Sequence, residues 1–256
     1  MALIPINNPE YNLKDSEGKD IPGLEGVVFG PSSDEHLNQL QTVKFTNKQG
    51  MIPQSVLEAV AVRAHSDDPK AWDYQRTRLG AFYVVLDGKV HVAFDDIPDP
   101  KKNIVIARAQ EGYDLNRNGK QLIIRGKTLQ EVLKRAERDQ RILEVPADGH
   151  VEASVEEYGA NPYFLAIAGH MAPVNAQLID RKYKKGHVWL LKPDTVLEQV
   201  KENEAVVRPV GLGVYCNSID SINADSNFND VGRARGVRGA REFSTGNKGK
   251  LVGSAK

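Results

Sequence analysis

The stretch AFYVVLDGKVHVAF, residues 81–94, decides the fold class. Asp87-Gly88 is a pair that tolerates positive φ, as a two-residue type I′ return requires, and β-branched and aromatic residues flank it on both sides. Val90, Val92 and Phe94 alternate with Lys89 and His91, so one face is apolar and His91 falls on the wetter one. The spacing predicts an antiparallel hairpin in a half-buried sheet.

Working outward, NIVIAR (103–108), KQLIIR (120–125), HVWLL (187–191) and EAVVRPVGLGVYC (204–216) read as further strands. Helix starts are marked by the capping-box pattern at Ser32/Glu35, Ser55/Glu58, Thr128/Glu131, Ser154/Glu157 and Thr195/Glu198, where a hydroxyl accepts from an orphan amide and the acid reaches back. In LQEVLKRAERDQRIL (129–143), Leu129, Val132, Leu133 and Ala136 share one helical face. SVLEAVAVRA (55–64) is apolar nearly all round and reads as a buried helix ending before Pro69. Strands and helices mix without regular βαβ alternation, which gives an α+β fold with a mixed or antiparallel sheet, hairpins and several amphipathic helices. The expected organisation is an α+β domain over 1–146, a smaller α+β region over 150–230 that could belong to the same domain, and a basic, flexible Gly/Arg-rich tail over 231–256.

Composition narrows the class. Of 256 residues, 40% are apolar and 27% charged, which is ordinary for a globular protein, and no run reaches the roughly 18 apolar residues that cross a bilayer. The start MALIPINNPE lacks a basic leader followed by an apolar run. Cys216 is the only cysteine, so an internal disulfide and a cysteine zinc cluster are excluded, and a reducing, cytoplasmic compartment is expected. The formal net charge of zero conceals an asymmetry: residues 231–256 carry seven basic side chains against Glu242 alone.

Two sharp motifs dissolve on inspection. Asp114, Asn116, Asn118 and Gly119 match the first half of a calcium loop, but Arg125 stands at position 12, where a bidentate Glu is required. Asn118-Gly119 is explained as a turn between strands. Gly126-Lys127-Thr128 ends like a phosphate loop, yet Gln121 stands where the first glycine belongs. The six histidines include no i, i+4 pair, so no metal site and no cofactor is expected.

What remains is basic surface. Arg181, Lys182, Lys184 and Lys185 surround Tyr183, and Arg233, Arg235, Arg238 and Arg241 punctuate the tail. Cations neutralise phosphates and a ring can stack on an unpaired base. The leading expectation is a binding or assembly protein that meets nucleic acid, or an acidic protein surface, through these residues, with homo-oligomerisation open and no membrane partner. The alternative is an enzyme. His187 before VWLL, then Tyr215 in GLGVY, followed by Ser218, Ser221 and Ala224, resembles the histidine-then-tyrosine pattern of ADP-ribosyltransferases. That resemblance implies NAD framed by His187 and Tyr215, with Glu242 as the later glutamate. A Cys216-dependent hydrolase is the other enzyme reading, given a suitable base.

Overall fold

The computed structural model describes residues 10–111, 122–180, 185–215 and 219–240. The hairpin forms as expected: β4 (Gln75–Leu86) and β5 (Lys89–Asp95) pair from Gly80↔Asp95 to Leu86↔Lys89, and Asp87 and Gly88 return the chain at φ 49° and 77°. Val90, Val92 and Phe94 are buried, as the alternation requires.

Around this hairpin an eight-stranded sheet runs β7 (Ile142–Glu144), β5, β4, β10 (Glu204–Tyr215), β11 (Ile219–Asn223), β9 (Lys185–Trp189), β8 (His150–Ser154), with β6 (Ile123–Arg125) beside the start of β10. Only the β9–β11 pairing is parallel among these ladders, so the fold is α+β with a mixed sheet. Strands from both sides of residues 146–150 hydrogen-bond within this one sheet. A second sheet orders β1 (Tyr11–Asn12), β2 (Val28–Ser32), β12 (Arg235–Arg238) and β3 (Ile52–Pro53).

The helices are α1 (Gln39–Lys48), α2 (Val56–His65), α3 (Ile104–Gln110), α4 (Gly126–Arg138), α5 (Val155–Tyr158), α6 (Pro162–Ala168), α7 (Ala172–Asp180) and α8 (Pro193–Leu197). The Ser55/Glu58 and Ser154/Glu157 boxes form. The others do not: Ser32 ends β2 while Asn38 and Gln41 box α1, and Thr128 and Thr195 lie inside helices that begin after Arg125 and Lys192. NIVIAR is helix α3 rather than strand. Asn103 accepts from the Ile106 amide at 3.0 Å and donates to the carbonyls of Arg78 and Ile97, at 3.1 and 2.9 Å. That cap and its distant partners override the β preference of Ile104 and Val105. Residues 112–121, with the calcium-like letters and the Asn118-Gly119 turn, lie outside the described residues. Among the described residues, no helix is long and apolar enough to cross a membrane.

The chain places residues 231–240 inside the fold rather than in a tail; 241–256 fall outside the described residues. β12 sits between β2 and β3, with Arg235↔Ser32 on one side and Gly236↔Pro53 on the other. Arg235, 1% exposed, donates to the Tyr11 hydroxyl at 2.6 Å and the Gly30 carbonyl at 2.9 Å, and pairs with Asp68. A buried cation so placed is costly to remove, because the partly buried Asp68 carboxylate, the Tyr11 hydroxyl and the Gly30 carbonyl lose their donor together. Arg235→Ala should therefore lower unfolding free energy by about 3–5 kcal/mol, whereas Arg238→Ala, at the half-exposed pair with Glu10, should change it by under ~1 kcal/mol. Urea unfolding of the two variants checks this; similar small losses in both would show that Arg235 holds nothing together.

Candidate functional site

Two rows of facing residues cross four strands of the large sheet. One is Gly211–Asn223–Trp189–His150 and the other Gly213–Ser221–His187–Glu152, on β10, β11, β9 and β8 in turn. Residues directly opposite in a ladder share a face, so all eight positions line one surface.

At the glycine end the surface is a seat for Tyr74. A Cβ at Gly213 would stand 2.5 Å from Tyr74 Cδ2, one at Gly232 would stand 2.6 Å from the Tyr74 carbonyl oxygen, and one at Gly211 would overlap the phenol oxygen. Tyr74 thus lies flat where no other side chain fits, and burial pushes its phenol pKa up. Its hydroxyl shares a hydrogen bond with Ser226 Oγ, which also donates to the Asn223 carbonyl at 3.1 Å.

Over this seat runs the segment from Asn223 to Gly232. It alternates: Ala224, Ser226 and Phe228 are buried at 0, 4 and 2% exposure, while Asn223, Asp225, Asn227 and Asn229 are partly exposed and Asp230 is exposed. The hydrogen bonds that hold it use mainly its backbone. Ala224 N–H donates to the Trp189 carbonyl at 2.8 Å, the Phe228 carbonyl accepts from Gln39 N–H at 3.0 Å at the start of α1, and Leu37 and Gly232 exchange a pair of bonds. Arg76, fully buried, donates Nη2 to the Asn227 carbonyl at 2.8 Å and Nε to Gln39 at 3.0 Å. Arg208 donates to Asn227 Oδ1. Burial lowers the Arg76 pKa and raises that of Asp225, the latter partly offset by Arg208.

At the far end His150, His187 and Trp189 stack. His150 Nε2 and His187 Nδ1 are 2.7 Å apart, and the His150 and Trp189 ring centroids 4.2 Å. His187 Nε2 lies 3.7 Å from Glu152 Oε2, and Lys185 pairs with the same carboxylate, lowering its pKa. A separate groove of 340 Å³ opens beside Met51, Ile52, Pro98, Pro100 and Val237. It lacks the convergent titratable groups that a chemical site requires.

The residues expected from sequence are distributed differently. Arg181, Lys182, Tyr183 and Lys184 lie outside the described residues, as do Cys216, Arg241 and Glu242. Lys185 is exposed and paired with Glu152. Arg233 donates to Asp73 at 2.8 Å and to the Ser33 and Asp34 carbonyls, and Arg235 and Arg238 hold Asp68 and Glu10. Tyr215 closes β10 opposite Ile219, and His187 contacts His150. Tyr74 and the 223–230 alternation were missed, though the period-two pattern in NADSNFND and the G-x-G of β10 were there to be read. Among the described residues no group of three or more His, Cys, Asp or Glu could hold a metal.

No protein-family model matches the chain, and no curated protein matches its sequence. A solved structure does: a chain described as "Accommodation of massive sequence variation in Nanoarchaeota by the C-type lectin fold" is similar over 81% of this chain and 95% of its own length, at TM-score 0.56 and 12% identity. At that identity the likeness shows the fold alone. It overturns the expected function. That likeness gives no support to the polyanion- or acidic-partner-binding protein read from the basic residues, nor to the ADP-ribosyltransferase-like or cysteine-dependent enzyme read from His187, Tyr215, Glu242 and Cys216. Physically, Arg233 and Arg235 are turned inward to carboxylates and carbonyls of this same chain, and Arg238 pairs with Glu10 at the surface.

The seat itself is testable. Gly211→Ala should cost about 2–3 kcal/mol by overpacking against Tyr74, and under ~1 kcal/mol in a Tyr74→Ala background, where the space has opened. Equal costs in the two backgrounds, measured by urea unfolding, would remove Tyr74 as the reason for the glycine.

Proposed function

We propose that the chain is a recognition protein whose ligand-contacting surface is the outward side of residues 223–231. The observation that carries this reading is the division of labour within the segment. Its course is held by backbone carbonyls and amides, by the side chains of Asn227 and Asp230 and by the inward Ala224, Ser226 and Phe228, so Asp225 can change without altering the frame. The description of the similar structure, which says that its C-type lectin fold accommodates massive sequence variation, supports such an arrangement. The partly exposed set of Asn223, Asp225 and Asn229, with exposed Asp230, is rich in hydrogen-bond acceptors, and Val231 beside it is 52% exposed. That chemistry suits a ligand bearing hydroxyl or amine groups with an adjoining apolar part.

Asp225→Ala should leave the melting temperature within about 3 °C of wild type, while Phe228→Ala should lower stability by about 3–5 kcal/mol. Against arrayed glycans and peptides, any ligand that the wild type captures should be lost by the Asp225→Ala variant. Retention of that ligand would exclude the segment as the contact surface.

A further inference from the structure

We propose that the His150–His187 contact is a proton-counting switch that loosens the anchor of the recognition segment in acid. This regulation rests on the reading of 223–231 as the ligand surface; the switch chemistry does not.

Two imidazoles hold four ring nitrogens. With both rings neutral there are two protons, and at the 2.7 Å contact one of Nε2 and Nδ1 donates while the other accepts. A first added proton goes to an outer nitrogen, His150 Nδ1 or His187 Nε2, and leaves a charge-assisted bond in place. A second has only one lone pair left to take, the acceptor inside the contact. Two N–H groups then face each other with two positive charges, and the rings must part. The contact therefore stabilises the fold while the pair carries no more than one charge, and that stabilisation is lost when acid adds the second.

The surroundings hold the pair to this behaviour. On β8 Glu152 faces His187, and just before it Asp148 accepts from the His150 backbone amide at 3.1 Å. On β9 Lys185 offsets Glu152. Lys192 packs along Gly149, next to His150. On β11 the facing residues, Ser221 and Asn223, carry no charge, and Asp225 is the first carboxylate of the segment beyond them. Helices α5 and α7, with Glu156 and Glu157 on α5, pack on the opposite face of β9, where Gly186 meets Tyr158 and Ile179. Glu152 therefore favours the first proton, and among the described residues it is the one carboxylate paired with an imidazole of this contact.

Trp189 links the pair to the segment. Its ring stacks on His150, its neighbour across β11 is Asn223, and its carbonyl holds the Ala224 amide. Parting the imidazoles removes one face of the Trp189 stack directly beside that bond.

The experiment uses the full chain in a Trp72→Phe background, so that Trp189 is the only indole. Its emission should fall in one transition as the pH is lowered, and the Ala224 amide should exchange roughly tenfold faster in acid after correction for the intrinsic rate. His150→Gln should abolish both changes, and so should His150→Phe, which keeps a ring on Trp189 but cannot titrate. A flat emission profile, or one that persists in both variants, overturns the switch. A transition without faster Ala224 exchange overturns its coupling to the segment. Loss of the recognition reading is seen separately, in ligand capture by the Asp225→Ala variant.

Discussion

Everything in the molecule waits on one topological constraint: its last described strand is inserted between two of its first. β12 takes hydrogen bonds from β2 on one side and β3 on the other, and Arg235 fastens the insertion by reaching Tyr11, Gly30 and Asp68 at once. With β12 in place, residues 224–234 can only cross the top of the large sheet, because both ends of that crossing are pinned. The Tyr74 seat, the Arg76 clamp on Asn227 and the α1 start under Phe228 then fix the path between the pins.

Buried arginines recur with different partners. Arg78 sits between Glu58 and Asp96, at 2.6 and 2.8 Å, and joins α2 to the turn after β5. Burial pushes the Asp96 carboxyl up while Arg78 draws it back. Arg76, by contrast, donates Nε to an amide oxygen and Nη2 to a carbonyl, while its buried Nη1 finds no hydrogen-bond partner among the described residues. A buried guanidinium held by neutral acceptors is a demanding arrangement, and here it orients the backbone of Asn227 beneath the proposed ligand surface.

How much of this was legible in the chain depended on how local its cause is. The 81–94 hairpin was readable because Asp87-Gly88 carries its own turn chemistry, and α2 and α4 because their apolar faces repeat within a few residues. NIVIAR misled because Asn103 finds Arg78 and Ile97 only after folding. The C-terminal arginines misled for a related reason: among glycines they resemble solvated charge, and nothing near them announces that Asp68 or Asp73 will arrive from far upstream. His187 was singled out with Tyr215 and Glu242, and its contact with His150 was not read. Its partner His150 lies 37 residues earlier, on the neighbouring strand. Tyr74 had no signal of its own, since the three glycines that explain it come from two distant segments.

The insertion of β12 also sets an order of assembly. Arg235 and the Gly30 carbonyl it grips are separated by 205 positions, so the small sheet is built from contacts that span nearly the whole described chain. Such pairings are slow to find because a long loop must close first. During synthesis, β2 and β3 emerge early and wait with their inner edges open until residue 238 has left the ribosome. An unpaired edge is a template for the wrong neighbour. The interval between making the first strands and receiving the last is thus where this chain is most exposed to aggregation, and a nascent polypeptide stalled short of β12 would be a client for chaperones rather than a slightly shortened protein.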